Sequence, residues 1–288
     1  MKPLQPAYPV LVAILGVAIF TVLDAMMKVI STSYPLAQST GMRYVSGALV
    51  AIIFYLVTSR QRISLQAIKR SIPRTICNVA AAASFFLAIS RIPLVDAVTL
   101  SFLSPFFLSF WGWVFLKETP KKSTLVACVF GLAGAVLIAQ SQKDAAQSTF
   151  DAVGFFSAIC TPALYSLSMV LTRSHSSKDS LPVLVLLPSL IGAIISTPAM
   201  IFDWHPVTIS NYIIIACVGI LGTAGYVCLS WAYSNSQANK LGLTEYTGLI
   251  WALILGYFMF QEIPSILVLT GSMLIIGSCI PSILTEKK

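Results

Sequence analysis

The chain has 288 residues, of which 57% are hydrophobic and only 10% charged, with a formal net charge of +8 and a mean hydropathy of +0.87. Soluble domains carry about 25% charged residues, so these numbers exclude a water-soluble globular fold: too few polar side chains exist to cover its surface. The excess of base does not indicate a nucleic-acid partner, because the lysines and arginines are spread over short segments between apolar runs.

Ten apolar runs follow one another, at about 9–29, 36–57, 72–90, 95–116, 123–140, 153–172, 182–201, 211–233, 241–260 and 266–284. Each is near the ~20 residues that a helix needs to cross a ~30 Å hydrocarbon core. They are continuous rather than alternating, which excludes a transmembrane β-barrel and predicts an all-α integral membrane protein in the lipid bilayer with ten transmembrane helices. The first run is longer than a secretory h-region, holds Asp24 and lacks a small-residue cleavage pattern, so it is read as the first helix. The six cysteines lie in or beside apolar runs without a CxxC pair, and His175 and His205 have no metal-ligand spacing to them. No disulfide, metal site or cofactor is expected.

With both termini inside, 14 of the 18 basic residues fall on the inner side: Lys2, Arg60, Arg62, Lys69, Arg70, Arg74, Lys117, Lys121, Lys122, Arg173, Lys178, Lys240, Lys287 and Lys288. The positive-inside rule then predicts cytoplasmic termini in an inner (cytoplasmic) membrane. An internal repeat runs through the same runs. Residues 88–120 align without a gap on 232–264 at an offset of 144, bringing Ala88, Ser90, Gly112, Glu118 and Pro120 onto Ala232, Ser234, Gly256, Glu262 and Pro264. Equivalent loops differ in charge: 116–123 carries three lysines and its counterpart after Phe260 none. Five helices per half, with loop charge reversed, predict two inverted repeats, 1–143 and 144–288, the arrangement of secondary transporters.

Ionisable groups at membrane depth cost about 2.5–3.5 kcal/mol each on insertion scales and mark functional positions. In FTVLDAMMKVI (20–30), Asp24 and Lys28 share one helix face, Arg43 lies about 10 Å into the second helix from the same side, and the hairpin between them is short. The three charges are expected to meet, with Lys28 free to snorkel outward. Two roles fit: a neutralising pair that locks the first two helices, or a substrate-binding or gating cluster. Glu245, one turn into the ninth run, fits either a helix-start pair or a cation-binding site, and with Asp24 it is the candidate for proton coupling. Glu118 and Glu262, beside Pro120 and Pro264, read as helix-terminating. Asn78, Tyr226, Trp231, Tyr246 and Trp251 complete the candidate binding set, the aromatics through stacking and cation–π contact.

Four segments carry a family resemblance: GMRYVSGAL (41–49), SFLSPFFLSFWGWVFLKETP (101–120), GILGTAGYVCLSWAYS (219–234) and LTEYTGLIWALILGYFMFQEIP (243–264). Over essentially the whole length the chain resembles the ten-helix, EamA-type members of the drug/metabolite transporter superfamily. One departure is Leu249, which stands where the repeat would place a partner for Pro105, so a symmetric kink is not expected. The resemblance implies a central cavity lined by helices one to four and six to nine, with five and ten peripheral at a homodimer contact. It implies export or exchange of a small polar or amphiphilic metabolite, such as an amino acid, by alternating access, with S-adenosylmethionine, nucleotide-like or quaternary-ammonium compounds as alternatives. A membrane-embedded group-transfer enzyme is the rival class. It needs clustered acids or a His/Asp pair at one membrane face, and the acids here are scattered.

Overall fold

The computed structural model describes residues 7–59, 63–117, 130, 133–134, 136–138, 140, 151–173, 180–235, 244 and 247–285. Every regular element among them is a helix: α1 (Ala7–Ser33), α2 (Leu36–Thr58), α3 (Leu65–Ile89), α4 (Leu94–Ser101), α5 (Ser104–Leu116), α6 (Ala152–Arg173), α7 (Leu181–Phe202), α8 (Ile209–Asn235), α9 (Thr247–Phe260) and α10 (Ile266–Thr285). Six of them, α1 to α3 and α6 to α8, are long and apolar enough to cross a membrane. The fifth expected run lies mostly outside the described residues. Within it, residues 130, 133–134, 136–138 and 140 are helical, Ile138 is fully buried, and Gly271 of α10 abuts the Gly134 carbonyl.

Two boundaries differ from the hydropathy reading. The third helix begins at Leu65 rather than 72, because Ser64 caps it: its hydroxyl accepts the Ala67 N–H at 3.1 Å, the usual service of an N-cap side chain. The fourth run is a helix in two pieces. Pro105, in the first turn of α5, has no N–H to offer the Ser101 carbonyl; the Ser104 hydroxyl donates to that carbonyl at 2.6 Å instead. The chain between, Phe102–Leu103, turns through short i→i−3 bonds to Thr99 and Leu100.

Helices α5 and α9 both end in a left-handed residue, Lys117 and Gln261, each with φ 57°. The Lys117 N–H returns to the Gly112 carbonyl, and the Glu262 N–H to that of Gly256. Such caps satisfy the last carbonyls of a helix.

Hydroxyls inside the bundle are tied to their own helix. Thr21 donates to Val17, Thr75 to Ser71, Ser196 to Gly192 and Thr223 to Gly219, as an apolar surrounding requires of any O–H.

Helices of the first half pack chiefly on helices of the second. The largest contacts are α2 with α7, α3 with α6, and α1 with α8; next come α2 with α8, α5 with α6, α1 with α9 and α3 with α7. Small residues permit the approach. Gly219 of α8 lies against the Ser46 backbone, Gly16 of α1 against Leu229, Gly225 against Phe20, and Gly41 against Met200. Gly192 of α7 lies under the Tyr44 ring, where an added Cβ would come within 2.6 Å of Cε1. Gly192→Ala is therefore expected to lower stability by about 1–3 kcal/mol through overpacking. Thermal unfolding in detergent checks this, with Tyr44→Leu in the same chain expected to restore most of the loss.

One end of the bundle is clasped by polar contacts between the halves. Tyr34, in the turn between α1 and α2, accepts hydrogen bonds on its phenol oxygen from the Thr208 N–H (3.2 Å) and the Asn211 amide (2.9 Å). Gln38 makes a two-pronged bond to the His205 backbone, donating at 2.7 Å and accepting at 3.0 Å. Arg91 pairs with Asp151 at 3.3 Å.

Candidate functional site

Asp24, on α1, is half-buried and lies deep in the bundle. Among the described residues its carboxylate accepts no hydrogen bond and has no cation within 4.0 Å. Arg43, on α2, attracts it electrostatically, but the two form no direct pair. The Arg43 guanidinium rests on two glycines: a Cβ at Gly222 would stand 2.8 Å from Nη1 and Nη2, and one at Gly47 3.1 Å from Nη1. It also lies 5.8 Å from the centroid of the Tyr44 ring. Within this set the guanidinium has no carboxylate and no carbonyl as partner. Gly222 is thus required by space rather than backbone conformation, since any side chain would displace the cation.

Lys28 leaves this cluster. It was expected beside Asp24 and Arg43 or reaching to the headgroups, but it is only 9% exposed and turned toward the far half of the chain. Its ammonium pairs with Glu262, donates to the Ile92 carbonyl at 3.1 Å, and lies 5.0 Å from the Phe260 ring centroid. Glu262 also accepts the Leu94 N–H at 2.9 Å and so caps the start of α4. The helix-terminating role expected of Glu262 is present, and the partner it acquires joins α1, α4 and the turn after α9. This knot lies at the clasped end, with the Tyr34 and Gln38 bonds.

The remaining expected residues divide. Tyr226 lies one helical turn beyond Gly222 on α8 and keeps 36% of its surface accessible. Asn78 of α3 is half-buried, with no hydrogen bond among the described residues. Trp231 lies nearer the other end of α8, packed against the small cluster of Ala13 and Ala232. Trp251 is on α9, three residues from Gly248, which abuts Val17 of α1; its indole N–H is buried without a partner among the described residues. Glu245 and Tyr246 lie outside the described residues.

The hydropathy reading missed Arg74. It counted this residue in a loop, but the early start of α3 carries it nine positions into the helix, where it is 6% exposed. The legible signal was Ser64 as an N-cap ahead of LQAIKR. No group of three or more His, Cys, Asp or Glu side chains among the described residues is placed to hold a metal.

A bundle of apolar, membrane-length helices has the build of a multi-pass membrane protein. Comparison with known proteins agrees. The EamA-like transporter family profile matches residues 7–140 and again 152–284. Curated relatives include the pseudopaline exporter CntI of Pseudomonas aeruginosa, 26% identical over 281 residues covering 96% of both chains, and the S-adenosylmethionine uptake transporter of Rickettsia bellii, 22% identical over 265 residues covering 92% of this chain and 89% of the other. A solved crystal structure superposes with a TM-score of 0.65 at 18% identity, covering 98% of this chain and all of that one, which shows a shared fold. The chain belongs to the EamA-like transporter family of the drug/metabolite transporter superfamily. It is a multi-pass membrane transporter, not an enzyme.

Proposed function

We propose that the protein is a secondary transporter that moves a small zwitterionic metabolite, such as an amino acid, by alternating access. The observation that carries this reading is the pair Asp24 and Arg43: opposite charges on adjacent helices, deep in the bundle, neither directly neutralised. An α-amino acid presents an ammonium to Asp24 and a carboxylate to Arg43, and so supplies the missing partners of both. The structural alternative, a direct Asp24–Lys28 or Asp24–Arg43 lock, requires contacts that are absent among the described residues.

Ten spans in two inverted five-helix halves are supported in three ways. The family profile matches twice, the left-handed caps at Lys117 and Gln261 are 144 residues apart, and the packing pairs α1 with α8 and α3 with α6 exchange under the repeat. With both termini in the cytoplasm of an inner-membrane protein, the clasped end faces outward and this conformation is closed to the outside. Export or exchange is our reading of direction; the named relatives include both an exporter and an uptake transporter. Proton coupling through Asp24 or Glu245 and a homodimer contact belong to the same proposal and rest on sequence position and family resemblance. S-adenosylmethionine is the second reading. Its amino-acid head fits the same two charges, and the Tyr44 and Tyr226 rings offer faces to its cationic sulfonium.

Counterflow in proteoliposomes tests the proposal, with labelled amino acids and S-adenosylmethionine as the panel. Saturable exchange by the wild type, reduced at least about tenfold in Asp24→Asn while the variant stays monodisperse, is the expected result. Full exchange by Asp24→Asn, or no exchange of any panel member by folded wild type, would overturn it.

A further inference from the structure

We propose that the buried ion pair of Lys28 and Glu262 is the latch of a gate: it holds the clasped end of the bundle shut in this conformation and must part for that end to open. This rests on the reading of the protein as an alternating-access carrier and names the contact on which one of its closed states depends.

A single carboxylate joins three elements. One oxygen of Glu262 pairs with Lys28, near the end of α1, and the other accepts the Leu94 N–H at the start of α4 at 2.9 Å. Lys28 in turn donates to the Ile92 carbonyl at 3.1 Å, in the turn that leads into α4. The left-handed Gln261, with φ 57°, ends α9 and turns the chain so that Glu262 folds back over Gly256. A Cβ at Gly256 would stand 3.2 Å from the Glu262 Oε2, so the seat of the carboxylate depends on that glycine. The same stretch of chain that holds Lys28 continues into Tyr34 and Gln38, whose side chains bind the Thr208, Asn211 and His205 groups of the second half. Latch and clasp therefore close the same end.

The chemistry of the pair suits a joint that opens. A buried ion pair contributes little to stability beyond what packed apolar side chains would give, because each charge has surrendered its hydration. Parted and wetted, the two charges regain that hydration, so the closed and open states lie close in free energy. An apolar seal would instead lose its whole burial term on opening. The Lys28 and Glu262 side chains are 11% and 17% exposed, dry in this state but placed where α1 and α9 end, so a small separation admits water. The bonds of Tyr34 and Gln38 are likewise of a kind that water replaces when the gap widens.

Two measurements on the full-length protein test the latch. Amide hydrogen exchange in lipid nanodiscs reads local opening and needs no substrate. The reporters are the His205 and Thr208 amides, which donate across the clasp to Gln38 and Tyr34 and not to the latch itself. In Lys28→Met and Glu262→Gln they are expected to exchange at least about tenfold faster than in the wild type, while residues 186–196 of α7 keep their wild-type rates. Lys28→Arg, which retains the cation, is expected to stay within about twofold of the wild type. Unchanged exchange at the two reporters overturns the proposal. So does an equal rise at 186–196, the mark of a pair that supports the whole fold. The second measurement keeps both charges and so does not depend on either variant folding. Tyr34→Cys and Thr208→Cys are placed in a chain whose six native cysteines are changed to alanine, and are bridged by a short, reducible bis-methanethiosulfonate. Bridging is expected to lower counterflow in proteoliposomes at least about tenfold, and reduction to restore it. Full counterflow through a bridged clasp overturns the gate. Should the folded wild type exchange no panel member, the substrate reading falls and hydrogen exchange alone decides the latch.

Discussion

Arg43→Gln is expected to lower transport by about 10- to 100-fold with little loss of folded protein. A charge-assisted hydrogen bond is worth about 1.5–3 kcal/mol, which corresponds to that range of affinity. The reason stability should largely survive is geometric: the guanidinium makes no direct bond to a carboxylate or carbonyl among the described residues, so its removal breaks no direct pair and withdraws only the longer-range attraction to Asp24. Gly222→Leu probes the same seat from the other side. It keeps the charge but fills the space now held 2.8 Å from both terminal nitrogens, and it is expected to cost a similar factor. Arg43→Lys should rescue only in part, since an ammonium lacks the planar fork. Counterflow rates beside size-exclusion profiles distinguish these outcomes from unfolding. A fully active Arg43→Gln would remove Arg43 from the substrate path.

Lys28→Met and Glu262→Gln are expected to have the largest effects on stability. Removing one member of a buried pair leaves the other uncompensated, at a cost of about 3–5 kcal/mol. Here the side chains are 11% and 17% exposed, so screening by water is small. Glu262→Gln also weakens the cap on Leu94, and Lys28→Met withdraws the donor from the Ile92 carbonyl. Each single variant should lower the unfolding midpoint by on the order of 10 °C. The double variant should recover part of the loss, because no charge is then left alone. Additive losses in this double-mutant cycle would show that the two side chains are not coupled. As the pair lies in the clasp, its loss should also raise labelling of single cysteines placed beside Tyr34.

The helices were legible in the sequence because membrane-length apolar runs admit few other structures, and the short hairpin between the first two explains why Asp24 and Arg43 lie within each other's field, though they make no direct pair. The partner of Lys28 was not legible in that way. Glu262 lies 234 residues away, and Asp24 offered a local partner at the right helical spacing, so the nearer acid was favoured. Arg74 was hidden by its neighbours. Lys69, Arg70 and Arg74 together depress hydropathy enough to resemble a cytoplasmic loop, whereas the local capping chemistry of Ser64 starts the helix before them. Aromatic content drew attention to α8 but could not separate Tyr226, which keeps open surface, from Trp231, which packs near the start of α1. That distinction depends on which face of one helix meets which neighbour.

The cross-packing of the two halves has a consequence for biosynthesis. Helices α1, α2 and α3 find their principal neighbours in α8, α7 and α6, and have only minor contact with one another. When the ribosome has delivered the first three spans, their small-residue faces and the charges of Asp24, Arg43 and Arg74 have no finished surroundings. The nascent protein must hold these groups in lipid, or against insertion machinery, until its distal segments arrive. Assembly is therefore late and long-range in sequence, so a chain truncated after α5 should be recognised as incomplete by membrane quality control rather than persist as a stable half.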